Sequence, residues 1–202
     1  MTKMHSRMYG WKYVWMEFAD EYKASVDDPD PDSSHTEMSI VVPVAESDWS
    51  LVYTMHPSKQ AGSEHTTIET CYTPADDFKF AIHPEKWTDG FSKMLGMQDI
   101  IIGHEEFDKS FIIKGNDEQR VKDLFSDAAL RRLILDEPTT QLWAHVENSE
   151  KAPAAKALRG GSNRSAIMRV KGAVDDFERL KAFYNLKFRL LKSLQRIGAA
   201  SN

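Results

Sequence analysis

A chain of 202 residues that is 41% apolar and 10% aromatic can bury one core of ordinary domain size, and 28% charged residues suits a water-facing surface. No window approaches the roughly eighteen apolar residues of a membrane-crossing helix, and "MTKMHSRMYGWKYVWMEF" has neither a continuous apolar stretch nor a small-residue cleavage site, so neither a transmembrane segment nor a signal peptide is expected. The net charge of −5 hides a division: residues 151–202 carry 12 Lys/Arg against 3 Asp/Glu and residues 1–150 carry 14 against 28, so the basic end is expected to fold onto the acidic body.

In chain order, residues 1–23 read as an amphipathic N-terminal helix. Met4, Met8, Trp11, Trp15, Phe18 and Tyr22 recur at steps of four and three, a narrow stripe suited to one partner helix, either the chain's own last helix or a second subunit. Residues 24–35, "ASVDDPDPDSSH", are acidic and proline-broken, and read as a flexible linker. Residues 36–202 then form a single domain. Met38, Ile40, Val42 and Val44 alternate with Glu37 and Ser39, and Trp49, Leu51, Tyr53 and Met55 with Ser50 and Thr54, while Ile68, Thr70 and Tyr72 share a face in the next strand and Phe78, Phe80 and Ile82 in the one after. Short turn-like pieces separate these runs, which predicts an antiparallel meander. Pro43 cannot donate to a ladder and marks an edge or a bulge.

A short helix is expected over residues 84–97, and a charged turn at 104–109 leads into a strand at 110–114. Asn116 and Ser126 are the expected caps of two short helices. Strands follow at 140–147 and 165–170, joined by a loop, and a long helix runs from about Gly172 to Ile197. Strands without intervening crossover helices predict an α+β fold with a largely antiparallel, curved sheet.

None of the chemical motifs is decisive. His104-Glu105-Glu106-Phe107-Asp108 lacks the second histidine of a zinc-binding helix, so no metal site is expected. His56, His65 and His83 end predicted strands and could meet at one rim. The single cysteine, Cys71, rules out an internal disulfide and reads as a half-buried thiol, which with the missing leader points to a cytoplasmic protein. "ALRGGSNR" joins paired glycines to Arg159 and Arg164 with Lys171 close behind, a candidate anion-binding segment over 157–171. Arg179, Lys181, Lys187, Arg189, Lys192 and Arg196 flank the apolar face of the last helix. Core packing with a solvated basic flank is the reading preferred there over nucleic-acid or membrane-surface binding.

Glu105, Glu106, Phe107, Asp108, Lys109, Phe111, Lys114, Asp117 and Val121 together resemble a bacterial domain family in which an acidic-Phe-Asp-Lys turn, a Phe-centred strand and an Asp-containing helix start recur. The likeness covers about residues 76–135. It implies a folded bacterial domain, with no established activity and no catalytic residue to carry over.

Two functions follow as expectations. The first is a non-catalytic interaction or ligand-binding module without a cofactor, self-associating, as in a dimer, through Met8, Trp11, Trp15, Phe18 and Tyr22. The second is a carrier of an apolar small molecule, or a small enzyme, whose pocket lies between sheet and last helix and is lined by Trp49, Tyr53, Tyr72 and Phe80.

Overall fold

The computed structural model describes residues 6–33, 35–45, 47–60, 62–85, 97–145 and 164–201. The fold is α+β, with a large antiparallel sheet covered on one face by helices. The first alternating runs form a meander of β2 (Met38–Pro43), β3 (Ser50–His56) and β4 (His65–Pro74). The meander stops there. The far side of β4 is taken by β9 (Arg164–Lys171), paired from His65↔Lys171 to Tyr72↔Arg164. Next comes β8 (Gln141–His145), and only then β5 (Phe80–Pro84). With β1 (Ser25–Asp27), β6 (Gln98–Asp99) and β7 (Phe111–Gly115), the order is β1-β2-β3-β4-β9-β8-β5-β7-β6, and β10 (Ala200–Ser201) pairs with β4 at Thr73 and Pro74. Local alternation shows that a segment is a strand. It does not show which strand becomes its neighbour.

The acidic segment is not a free tether. Its residues 25–27 form β1 against Ser39–Val41, and Lys12 Nζ donates to both oxygens of Asp28 at 2.7 and 2.9 Å and to the Asp30 carbonyl at 2.6 Å. β1 stops short of Pro43, so that end of β2 is an edge, where a missing donor costs nothing.

The N-terminal helix α1 (Ser6–Glu21) breaks at Gly10, whose φ of 75° and ψ of 177° are open to glycine and strained for other residues. Beyond the break the aromatic stripe packs inward. Trp15 and Phe18 are fully buried, Trp15 Nε1 donates to the Val174 carbonyl at 2.9 Å, and Phe18 lies 5.7 Å from Phe177. Of the two partners the spacing allowed, the chain's own last helix receives the stripe within one molecule. That helix, α5 (Phe177–Arg196), begins at the N-cap Asp176 and buries Leu180, Phe183, Leu186, Leu190, Leu191 and Leu194. Its start lies later than Gly172 because β9 continues to Lys171.

Between the sheet's two halves in sequence lie α2 (Glu105–Ser110), α3 (Glu118–Phe125) and α4 (Ala128–Leu135). The expected charged turn is the helix α2. Asp108 folds back and accepts from the N–H groups of Ile102, Gly103 and His104 at 3.0, 2.9 and 2.8 Å, which occupies both of its oxygens. Both expected caps shift by one residue. Asp117 caps α3 and Asp127 caps α4, because a carboxylate one position nearer the helix reaches the free N–H groups. Asn116 instead clamps the β5 approach, accepting from Lys79 N at 2.8 Å and donating to the Asp77 carbonyl at 2.9 Å. The helix expected over 84–97 lies largely outside the described residues.

Candidate functional site

Sheet register decides which side chains share a face. Met38, Ile40, Tyr53, Ile68, Met168 and Leu142 point toward the helices and are buried. The opposite face is mixed: polar rows toward the rim adjoin an apolar patch of Val41, Val52 and Cys71. One cross-strand row runs Ser39, Thr54, Thr67, Arg169, Gln141, and the row next to it runs His56, His65, Lys171. Arg169 and Lys171, two residues apart on β9, therefore stand on one face beside His65 and Thr67.

The sheet rim holds the polar cluster this register builds. The imidazoles of His56 and His65 stack with centroids 4.7 Å apart and planes 22° apart. His56 Nδ1 lies 2.8 Å from Glu37 Oε2, and its Nε2 lies 3.0 Å from Thr67 Oγ1. Burial, then the positive charge of Arg169, holds His65 below the usual histidine range. His83 does not join them. It sits on β5 with β9 and β8 between it and β4, its Nδ1 3.1 Å from the Pro84 carbonyl, and burial lowers its basicity too.

Two clefts open at this rim and share Glu64. The larger, of about 590 Å³, is walled by Trp11, Met55, Pro57 and Ala173, with His35, Ser58, Lys59 and Glu64 as its polar members. The smaller, of about 350 Å³, is lined by Gly62, Ser63, Glu64, His65, Thr139, Arg169, Val170 and Lys171. Glu64 Oε2 accepts from the Gly62 N–H at 3.0 Å, which ties that carboxylate to its own turn.

The aromatics expected to line a pocket are core residues. Tyr53, Tyr72 and Phe80 are buried, and Trp49 is 5% exposed. Tyr53 lies 5.4 Å from Phe18 and donates to the Leu180 carbonyl at 3.3 Å, and Lys192 Nζ sits 5.4 Å from the Trp49 ring centre. None of the four lines either cleft. Of the anion-binding candidates, Arg159 lies outside the described residues. Arg164 opens β9 and Lys171 closes it, so seven steps of extended chain, roughly 23 Å, separate them. Sequence reading passed over Arg169. The available signal was Arg169 and Lys171 alternating with Met168 and Val170, which marks a polar face on the strand expected at 165–170.

Beneath the sheet, Lys187 of α5 is fully buried and its amine donates to the Ala166 carbonyl at 2.6 Å. Burial brings its pKa down to about 7, against the opposing charges of Glu69 and Cys71. Cys71 Sγ lies 3.5 Å from Ser165 Oγ, and burial pushes the thiol up, away from the thiolate a nucleophile requires. Much of the remaining basic flank is paired. Arg179 grips Glu137, Arg189 grips Asp127, and Arg196 reaches the Asp123 carbonyl at 2.8 Å.

Among the described residues, no helix is long and apolar enough to cross a membrane. No protein-family model matches the chain, and no curated protein matches it significantly in sequence. Among solved structures, the crystal structure of the mycobacterial trehalose monomycolate transport factor A, TtfA, is similar with a TM-score of 0.59, over 96% of this chain and 98% of its own, at 6% identity. At that identity the likeness is one of fold: this chain and TtfA share an architecture over nearly their whole lengths.

Proposed function

We propose that the protein is a non-catalytic ligand-binding module that takes up an apolar or amphipathic small molecule in the larger rim cleft. The observation that carries this reading is the cleft itself. Trp11, Met55, Pro57 and Ala173 provide apolar walls, and a few polar groups at its edge could orient a ligand. The break at Gly10 lies next to Trp11, the residue that α1 contributes to this wall. The shared fold with a protein titled a transport factor for trehalose monomycolate supports a carrier or transport-accessory role over catalysis. The pocket moves from the sheet–helix interface, where the aromatics fill the core, to the rim.

The test is native mass spectrometry of the purified protein beside titration with the neutral apolar probe N-phenylnaphthylamine. A small-molecule adduct, or probe uptake that Ala173→Phe abolishes by filling the cleft, is the expected result. A bare protein that takes up no probe would overturn the reading.

A second reading, self-association through the N-terminal segment, rests on Met16 and Val26, which are 49% and 39% exposed on α1 and the edge strand β1. The same spectra decide it: a dimer mass that Met16→Glu removes supports it, and a monomer at every concentration rejects it.

A further inference from the structure

We propose that the smaller cleft, at the C-terminal end of β9, is a binding site for a phosphate-type oxyanion held by Arg169 and Lys171 with the His65 ring beside them. This inference concerns a different cleft from the apolar one, and Arg169 is absent from that cleft's lining, so either can fail alone.

The first support is a contrast in pairing. Lys12, Lys114, Arg120, Arg179 and Arg189 all have carboxylate partners at 2.5–3.0 Å. Arg169 is half-buried in mid-sheet between Thr67 and Gln141, yet makes no hydrogen bond or ion pair with any described residue. A guanidinium partly removed from water with no anion beside it among the described residues carries a desolvation cost, and an anion from outside offsets it. The second support is geometry. Arg169, Lys171 and His65 share one face of two adjacent strands, and their cleft also presents the hydroxyls of Ser63 and Thr139. A planar fork beside a point charge and small donors is the set that recognises phosphate oxygens. The third is the charge balance. Among the described lining residues Glu64 is the single carboxylate, tied to the Gly62 N–H, so two fixed cations face one anion there. His65 adds a third positive charge when protonated.

The ligand's phosphate could belong to a soluble molecule or to a lipid headgroup, and two probes separate these. The intact protein is titrated calorimetrically with inorganic phosphate, and is sedimented with phosphatidylcholine vesicles prepared with and without phosphatidate. Binding to either probe is expected to weaken roughly ten- to a hundredfold in Arg169→Gln and about three- to tenfold in Lys171→Gln, and to be unchanged in Lys59→Gln of the other cleft. Phosphate binding in solution identifies a soluble source, and phosphatidate-dependent sedimentation alone identifies a headgroup. Lys171 is exposed, so its variant keeps the fold and decides the matter even where Arg169→Gln does not fold. Wild-type protein that binds neither probe, or binding equally strong in Lys171→Gln, or equally weakened in Lys59→Gln, would overturn the proposal.

Discussion

Asp127 and Arg189 join the start of α4 to the middle of α5, with Arg189 Nε 2.6 Å and an Nη 2.9 Å from the two carboxylate oxygens. The same carboxylate accepts from the Ser193 hydroxyl at 2.8 Å and from the N–H groups of Ala129 and Leu130. Burial alone would raise its pKa, but the bonds from Arg189, Ser193 and Leu130 outweigh it and hold the group at about 2.

Removing this carboxylate takes away a helix cap and an inter-helix tie together. Asp127→Ala is expected to lose about 2–3 kcal/mol in urea unfolding. Because the folded pKa is depressed, the stabilisation is complete above pH 4 and fades as pH falls toward 2. A stability profile of Asp127→Ala parallel to the wild type over that range would refute the assignment.

Lys187 has the opposite sign. Its folded pKa of about 7 lies below the ordinary lysine value of 10.5, so the unfolded chain holds the extra proton between those values. Stability is therefore lowest below pH 7 and rises as pH climbs above it. Lys187→Met, of similar length and without the charge, is expected to raise stability at pH 7 by about 1–4 kcal/mol and to flatten that rise. Thermal melts of both proteins at pH 7 and pH 9 check it. A lower melting temperature for the variant at both pH values would show that the bond to the Ala166 carbonyl outweighs the desolvation.

His65 makes the rim acid-sensitive. Its protonation is opposed by burial, by Arg169 and by the His56 ring stacked 4.7 Å away, and is favoured by Glu37. With the folded pKa of His65 below 6.5, stability is full above that pH and declines as pH falls through it. The buried His83 contributes in the same direction. Replacing His65 by Gln should reduce this decline, leaving the share from His83. Histidine proton shifts in NMR titrations give the measurement, and a His65 that titrates at or above 6.5 contradicts the account.

Gly115 tests the packing of α3 on the sheet. A Cβ at this position would lie 2.6 Å from Val121 Cγ2, 3.1 Å from Ile100 Cδ1 and 3.3 Å from the Lys79 carbonyl. Val121 is short and buried, so it cannot swing aside. Gly115→Ala is expected to destabilise by about 1–3 kcal/mol in urea unfolding. An additional Val121→Ala substitution should restore part of that loss by removing the methyl group that is met first.

Periodicity settled much of this protein before any coordinates. The alternation of Met38, Ile40 and Val42, and of Leu51, Tyr53 and Met55, marks strands. The four-and-three recurrence of Trp11, Trp15, Phe18 and Tyr22 marks a helix, because side-chain direction repeats with backbone geometry over a few residues. The α+β class followed from the missing crossovers. The tertiary structure decided what lies beside what. β9 and β8 enter between β4 and β5, and the acidic segment adds a strand. The aromatics expected to line a pocket are buried among the core residues. Arg169 comes to stand beside His65 although 104 positions apart in sequence, since register between β4 and β9 is set by pairing over the whole length of both strands. A local pattern shows which face a residue occupies. Only the summed burial and hydrogen bonding of the closed sheet fix its neighbours across that face.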